Sequence, residues 1–422
     1  MIYKIIPAGG NRMKKTLWAV LLAVLLAGCG ADTIQEPTEA PLVEVQVDYE
    51  EPVIALPYAG TELVMQSVWK QEDPQSRVLL EAASLFKKQT GAVVTVRWND
   101  ETAASVETAE NVDIFQIRAA DFSAIPAEYV LDLTEMAAKA DYDAKSHEAL
   151  RELIMEQCGC LGAVAQVPYL GGVYYNTEIL QQCGITQRPE TWDDFLTLCQ
   201  TLRSAGWQPL TLDQEDALAA MELHLRRSIG TEEVRRMMQK GNRWDTNMPA
   251  ITAMEQVMLF VKAGNMATGT PAEYPAGQNK MAGSNSAMMV GTNADCAAVE
   301  EATLTDLRWG IFPYPGNMSS GTWMTADMLL IHRDSKHGQA AFDFLMLLVS
   351  GEFDQLRTDL TGGIPADPAN ESPIAGAMEA IRLVQPEPLG LMGRNQQDAA
   401  VKLWSAWYDI AGRYASVLER SK

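Results

Sequence analysis

Short apolar runs alternate with helical periodicity along most of this chain. Residues 63–69 form a run of strand length, and Asp73-Pro74 then opens a helix, with Asp as N-cap and Pro at the first helical position. Leu79, Ala82 and Phe86 share one face of that helix and Gly91 stops it. Residues 93–98 and 112–117 follow as strands. This strand–helix–strand order predicts the α/β class, with a largely parallel sheet covered on its faces.

A second block follows a long apolar run at 164–175. Thr191-Trp192-Asp193-Asp194 has the form of a capping box, and Phe195, Leu198 and Leu202 share a face of the helix it opens, which Gly206 ends. Residues 209–212 read as a strand, and 231–240 and 249–262 as helices, the latter with Ile251, Met254, Met258 and Val261 at helical spacing. Strands are expected at 287–290, 308–312 and 328–331, and a helix at 338–350. From 396 to 418, Val401, Trp404, Tyr408 and Tyr414 recur at helical intervals.

The N-terminal pattern is of another kind. Lys14 and Lys15 precede an uncharged, mostly apolar segment, 17–27, that closes on Leu26-Ala27-Gly28-Cys29. A positive segment, a short apolar one and small residues form a secretory signal, too short to span a bilayer. Met13 is a better start for it than Met1. The closing residues resemble the bacterial lipobox, which implies diacylglyceryl modification of Cys29 and tethering to the outer face of the cell membrane. The segment 29–59, with Pro37, Pro41, Pro52 and Pro57, reads as a tether, although the alternation at 43–47 would also suit a strand.

Composition narrows the partners. A formal charge of -22 argues against nucleic acid and anionic headgroups. Cys158, Cys160, Cys183, Cys199 and Cys296 remain beside Cys29, an odd number that leaves at least one free thiol, and buried thiols are expected rather than disulfides or a metal site. Nucleophile-elbow, zinc-protease, phosphate-loop and dinucleotide motifs are missing from the sequence, so neither an enzyme nor a cofactor is expected.

From residue 85 onward, motifs accumulate in a fixed order. Phe86-Lys87-Lys88-Gln89-Thr90-Gly91 leads into a strand, Asp113-Ile114-Phe115-Gln116 follows, then Val167-Pro168-Tyr169, Tyr174-Tyr175-Asn176, Cys183-Gly184-Ile185 and Pro189-Glu190-Thr191-Trp192-Asp193-Asp194-Phe195. Ala287-Met288-Met289-Val290-Gly291, Phe312-Pro313-Tyr314-Pro315 and Gly321-Thr322-Trp323 complete the set. In this the chain resembles the family 1 extracellular solute-binding proteins of ABC importers. The resemblance implies a two-lobed, hinge-linked periplasmic-binding-protein-like fold (type II). Lobe 1 would comprise 60–171 plus 324–365, and lobe 2 would comprise 172–323 plus 366–422. Ligand would sit between the lobes. Many sugar-binding members carry Ser-Trp after the A-M-x-x-G segment; here Thr292-Asn293 stands instead, and that aromatic platform is missing.

Sugars present apolar C–H faces and a hydroxyl rim, so aromatic rings with amide or carboxylate partners suit them. Trp69, at the end of the first strand, and Trp323, at the hinge return, are candidates for ligand contact, with hinge or lobe packing as the competing role. Trp207 and Trp244 follow helix ends in loops, as ligand contacts or as caps, whereas Trp192 should be core. Tyr169 and Tyr174 lie on the segment that crosses between lobes, and either Tyr174 or Tyr175 should face the ligand. Asp113 and Gln116 stand near a strand end, and Asn293 offers a polar replacement for the missing Trp. The expectation is a lipid-anchored, monomeric binding protein that hands a mono- or oligosaccharide to an ABC permease. A receptor for a charged solute (a polyamine or metal chelate) and a surface glycan hydrolase are the alternatives.

Overall fold

The three apolar runs between residues 62 and 117 become the strands β1 (Glu62–Ser67), β2 (Val93–Trp98) and β3 (Ile114–Ile117), all parallel, with β1 in the middle. They belong to a computed structural model that describes residues 55–122, 124–211, 214–238, 247–265, 286–303, 307–316 and 320–383. The expected signal, Cys29, most of the tether, Trp244 and the C-terminal periodic stretch lie outside the described residues.

Helix α1 (Pro74–Thr90) buries Leu79, Ala82 and Phe86, and Gly91 ends it at φ 83 with its N–H donating to Lys87 O. Its N-terminus corrects one expectation. Asp73 has the extended backbone of an N-cap, but its carboxylate turns back to accept from the Lys70 N–H (2.9 Å) and leaves the helix uncapped. One-turn α2 (Ala119–Phe122) follows β3, and α3 (Glu148–Cys158) precedes the 14-residue strand β4 (Ala163–Asn176). The capping box at α4 (Trp192–Ser204) forms as read: Thr191 Oγ1 accepts from the Asp194 N–H (3.1 Å), and Asp194 accepts from the Thr191 N–H (3.1 Å). Trp192 is core, its ring packed against those of Phe195, His224 and Phe260.

Strand β4 joins two halves of one sheet. Strand β5 (Gln208–Thr211) lies parallel beside β6 (Ser286–Thr292); β7 (Trp309–Phe312) and the long β10 (Trp323–Ile331) both run antiparallel to β4. The order is β2-β1-β3-β10-β4-β6-β5, with β7 also on β4. Residues 163–171 of β4 pair with β10, while 171–175 pair with β6 and 173–176 with β7. A small ribbon of β8 (Tyr314–Pro315) and β9 (Ser320–Gly321) stands apart. Two hydrophobic clusters result. One gathers Leu63, Met65, Phe115, Leu329 and Phe344; the other gathers Trp192, Phe195, Phe260, Met288 and Trp323.

The helices that escaped the sequence reading include α3, Gln214–Ile229, α5 (Asn293–Thr303) and, after α6 (Gly338–Val349), α7 (Gly351–Thr361). The last two start with no intervening loop, so Thr292-Asn293 and Ser350-Gly351 look like turn chemistry where they are helix starts. Among the described residues the five cysteines from Cys158 to Cys296 form no disulfide. No described helix is long and apolar enough to cross a membrane.

Candidate functional site

Open α/β sheets bind ligands beyond the carboxyl ends of their parallel strands. At that edge Ser67 Oγ donates to Gln116 Oε1 (2.6 Å), which also accepts the Val68 N–H (3.1 Å). Gln116 Nε2 donates in turn to Gln166 Oε1 (2.6 Å), so one relay crosses β1, β3 and β4. Gln116 is fully buried and both ends of its amide are engaged, as a buried amide requires. It orders this edge. Half-buried Trp69 lies two residues beyond Ser67 and donates its backbone N–H to Ser67 Oγ (3.3 Å). Arg118, just past β3, reaches Asp100 O (3.3 Å) and Val68 O (3.5 Å), tying together the loops after β2 and β1.

A second set of polar contacts lies on the hinge strands β4 and β10. Asp327 pairs with Val167, Thr325 with Tyr169, and Trp323 with Gly171; opposed residues of neighbouring strands share a face. Tyr169 and Thr325 are half-buried on that face, whereas Met324, Ala326 and Leu170 are buried on the other. The register slips between Asp327 and Met328, leaving Gln166 unpaired in a bulge, and this places its side chain on Gln116. Tyr169 Oη donates to Asp327 Oδ2 (3.0 Å), and the Ala119 N–H, at the start of α2, donates to Asp327 Oδ1 (3.0 Å). Asp327 is 7% exposed. Burial pushes its carboxyl up to about 6, against the pull of these two hydrogen bonds and of Arg118 and Arg357. The Tyr169 hydroxyl is pushed well above its usual value by burial first and the Asp327 charge second.

Trp69 and Gln116 thus share the carboxyl edge through Ser67, with the Trp69 side chain packed on the first cluster, and Tyr169 lies on β4 three residues beyond Gln166; the other expected residues stand elsewhere. Asp113 stands at the amino end of β3, because the strand runs from it toward Ile117. Its carboxylate is held by the Val64 N–H (3.0 Å) and Ser335 Oγ (2.6 Å). Tyr174 is fully buried and donates to Leu170 O (2.6 Å), while half-buried Tyr175 packs on Phe312. Asn293 accepts the Leu170 N–H (2.8 Å) and donates to Pro168 O (3.3 Å), prolonging the β6 edge of β4 beyond the last strand pair. Trp207 packs against the second cluster. Trp323 is 1% exposed and lies flat against Gly171, where a Cβ would fall 1.8 Å from its ring; its indole N–H has no partner among the described residues.

Ser67, Arg118, Gln166, Asp327 and Arg357 were missed. Asp327 carried a signal: it is the one charged residue in the apolar strand 323–331. Gln166 likewise interrupts the apolar start of β4. Arg357, on a helix with mixed polarity, carried none. A separate groove of about 910 Å³, lined by Tyr175, Arg188, Glu190, Asp194 and Glu379 among others, contains none of the clustered residues. Among the described residues no group of three or more His, Cys, Asp or Glu side chains is placed to hold a metal.

A parallel half-sheet whose carboxyl edge meets strands shared with a second half defines a two-lobed binding protein of the α/β class. The chain belongs to the bacterial extracellular solute-binding proteins, whose family pattern it matches over residues 69–352. Its fold is similar to that of apo RafE from Streptococcus pneumoniae (16% identity, TM-score 0.62, covering 84% of this chain and 99% of that one). It is also similar to a sugar transporter of Bacillus licheniformis in complex with stachyose (15%, 0.55, 84% and 99%) and to a binding protein, MsmE, of Bacillus subtilis in an open conformation (17%, 0.61, 86% and 99%). None of the curated protein sequences matches the chain significantly.

Proposed function

We propose that this chain captures a mono- or oligosaccharide outside the cell, between two lobes that close on it, and passes it to an ABC permease. The observation that carries the reading is half-buried Tyr169, whose hydroxyl donates to Asp327, together with the buried relay Ser67–Gln116–Gln166 that fixes the sheet edge from which half-buried Trp69 follows. Half-buried aromatic side chains, one of them carrying a hydroxyl, on an edge that a buried polar relay holds fixed suit the C–H face and hydroxyl rim of a sugar. The solved structures with stachyose, with raffinose and of a chitin oligosaccharide binding protein have this fold and support the same class of ligand. Two guanidinium groups close enough to act on Asp327 weigh against a polyamine.

Closure would be driven by contacts the ligand makes only when both lobes reach it. The lipobox-like Leu26-Ala27-Gly28-Cys29 supports anchoring through a modified Cys29, with 29–59 as tether and the protein acting as a monomer. Thermal-shift screening of the purified chain against neutral sugars, acidic sugars and polyamines tests the reading, because a ligand of the native state alone raises the midpoint. A midpoint moved by polyamines and by no sugar refutes it.

A further inference from the structure

Cys158 and Cys160, two nucleophiles that the candidate binding site does not use, flank a sharp bend. Helix α3 ends at Cys158. Its C-cap, Gly159, takes the left-handed conformation at φ 71 and ψ 0, with its N–H donating to Met155 O (2.9 Å). A residue of helical curvature, of either hand, sets the Cα atoms on its two sides about 5.5 Å apart, against roughly 6.6 Å in an extended strand. The commonest Cα separation across a disulfide is roughly 5.5–6 Å. The bend therefore holds the two cysteine backbones at bonding distance before any bond exists.

The Cys158 side chain is turned toward the bend that carries Cys160. A Cβ on Gly162 would lie 3.2 Å from both Cβ and Sγ of Cys158, so that side chain folds over Gly162. Gly162 in turn donates its N–H to Cys160 O (2.9 Å), which draws the residue beneath Cys158 back onto Cys160. The loop is pinned from outside as well. The Leu161 N–H donates to Thr134 Oγ1 (3.4 Å), and Leu161 O accepts the Leu133 N–H (2.9 Å). Both cysteines are half-buried, which leaves them open to a small reagent. Burial first, and the charge of Cys160 second, push the Cys158 thiol up to about 11.

We propose that Cys158 and Cys160 are a redox-active pair that closes reversibly to an internal disulfide by exchange with a low-molecular-weight disulfide. One thiol, as its thiolate, attacks a sulfur of the external disulfide. The S–S bond there breaks, the released thiolate takes up a proton, and a mixed disulfide is left on the protein. The second thiol loses its proton and attacks the protein sulfur of that mixed disulfide, and a second external thiol leaves. Two protein thiols are oxidised and one external disulfide is reduced to two thiols. The ring from Cys158 to Cys160 is small, so closing it removes little chain entropy and strains the bond. Both effects keep it exchangeable rather than structural. The proposal is independent of which solute the protein binds.

The test uses the full folded chain, reduced and then freed of reductant. It is incubated at about pH 8, where thiolates are less scarce, with oxidised and reduced glutathione in varied ratio. Acid quenching, alkylation and digestion then precede mass spectrometry. The peptide carrying both cysteines is expected to lose two hydrogens. Its internal disulfide should exceed its mixed disulfides with glutathione at least about tenfold, because the second step is intramolecular and its partners are held in place. Cys158→Ser and Cys160→Ser should each leave the mixed disulfide on the remaining thiol, and dithiothreitol added to the folded wild type should restore both thiols. Should a serine variant fail to fold, the wild-type ratio decides alone. Mixed disulfides outnumbering the internal bond overturn the proposal, as does pairing of Cys158 or Cys160 with any other cysteine. Closure that occurs only in denaturant, or a bond that resists dithiothreitol until the chain is unfolded, overturns it too.

Discussion

Gly171→Ala is the sharpest test of the hinge. The added methyl carbon would sit 1.8 Å from Cε2, 2.0 Å from Cδ2 and 2.4 Å from Cζ2 of Trp323, inside the thickness of the ring. No small relaxation restores van der Waals distance, since Trp323 is paired directly opposite Gly171 and buried in the second cluster. Either the strands part, at the roughly 1–3 kcal/mol typical of overpacking, or the indole swings out and forfeits burial, at the roughly 3–5 kcal/mol of a large aromatic truncation. The indole N–H is already unpartnered, so the swing breaks no hydrogen bond. We expect a loss of about 3 kcal/mol, read as a lower denaturant midpoint at unchanged slope. In a Trp323→Ala background the same substitution should cost less than about 1 kcal/mol, a coupling well outside additive error. Additive losses, or a Gly171→Ala variant within about 0.5 kcal/mol of wild type, would refute the ring-on-glycine packing.

Other substitutions probe separate parts. Asn293→Ala leaves the Leu170 N–H buried without an acceptor, so a loss of about 1–3 kcal/mol is expected in chemical denaturation. Asp354→Asn breaks a buried ion pair and should destabilise by about 3–5 kcal/mol in the same assay. His224 is buried neutral with its pKa lowered to about 4 by desolvation, so its contribution is whole above pH 6.5 and is lost as pH falls through about 4. That loss reaches about 3 kcal/mol, and in His224→Phe the acid limb of the stability profile should flatten by a like amount. Asp327 works in the opposite sense. Its raised carboxyl favours the fold below the ordinary carboxylate range and loses that advantage as pH rises through about 6, so Asp327→Asn should be relatively more stable near neutrality.

What the chain reveals by inspection follows from how local each signal is. The parallel unit β1–α1–β2 was legible because its apolar stripe, Pro start and Gly stop all lie within residues 62–98. The capping box at Thr191 was legible for the same reason. Strand β10 was read only from 328, since Thr325 and Asp327 break its apolar run, and its pairing with β3 and β4 joins residues more than 150 positions apart. The site inherits that difficulty. Gln116 and Tyr169 lay on motifs and so were singled out, although Gln116 proves fully buried, whereas Gln166 takes its place from a bulge and Arg357 from a helix packed at long range. Asp113 was misplaced by strand direction, and Tyr174 by the phase of the pleat: five positions from Tyr169, it points to the opposite side.

The dual pairing of β4 also bears on how this family can vary in length. Residues 163–171 and 171–176 serve different neighbours but share one uninterrupted pleat, with Tyr169 set outward and Tyr174 inward by their odd separation. A single residue inserted between them would turn both tyrosines to the same side and exchange core for surface in one half of the sheet. Compensation from the other half is impossible, because Gly171 belongs to both ladders at once. Homologous chains should therefore gain and lose residues freely in the connections around this strand and almost never within it.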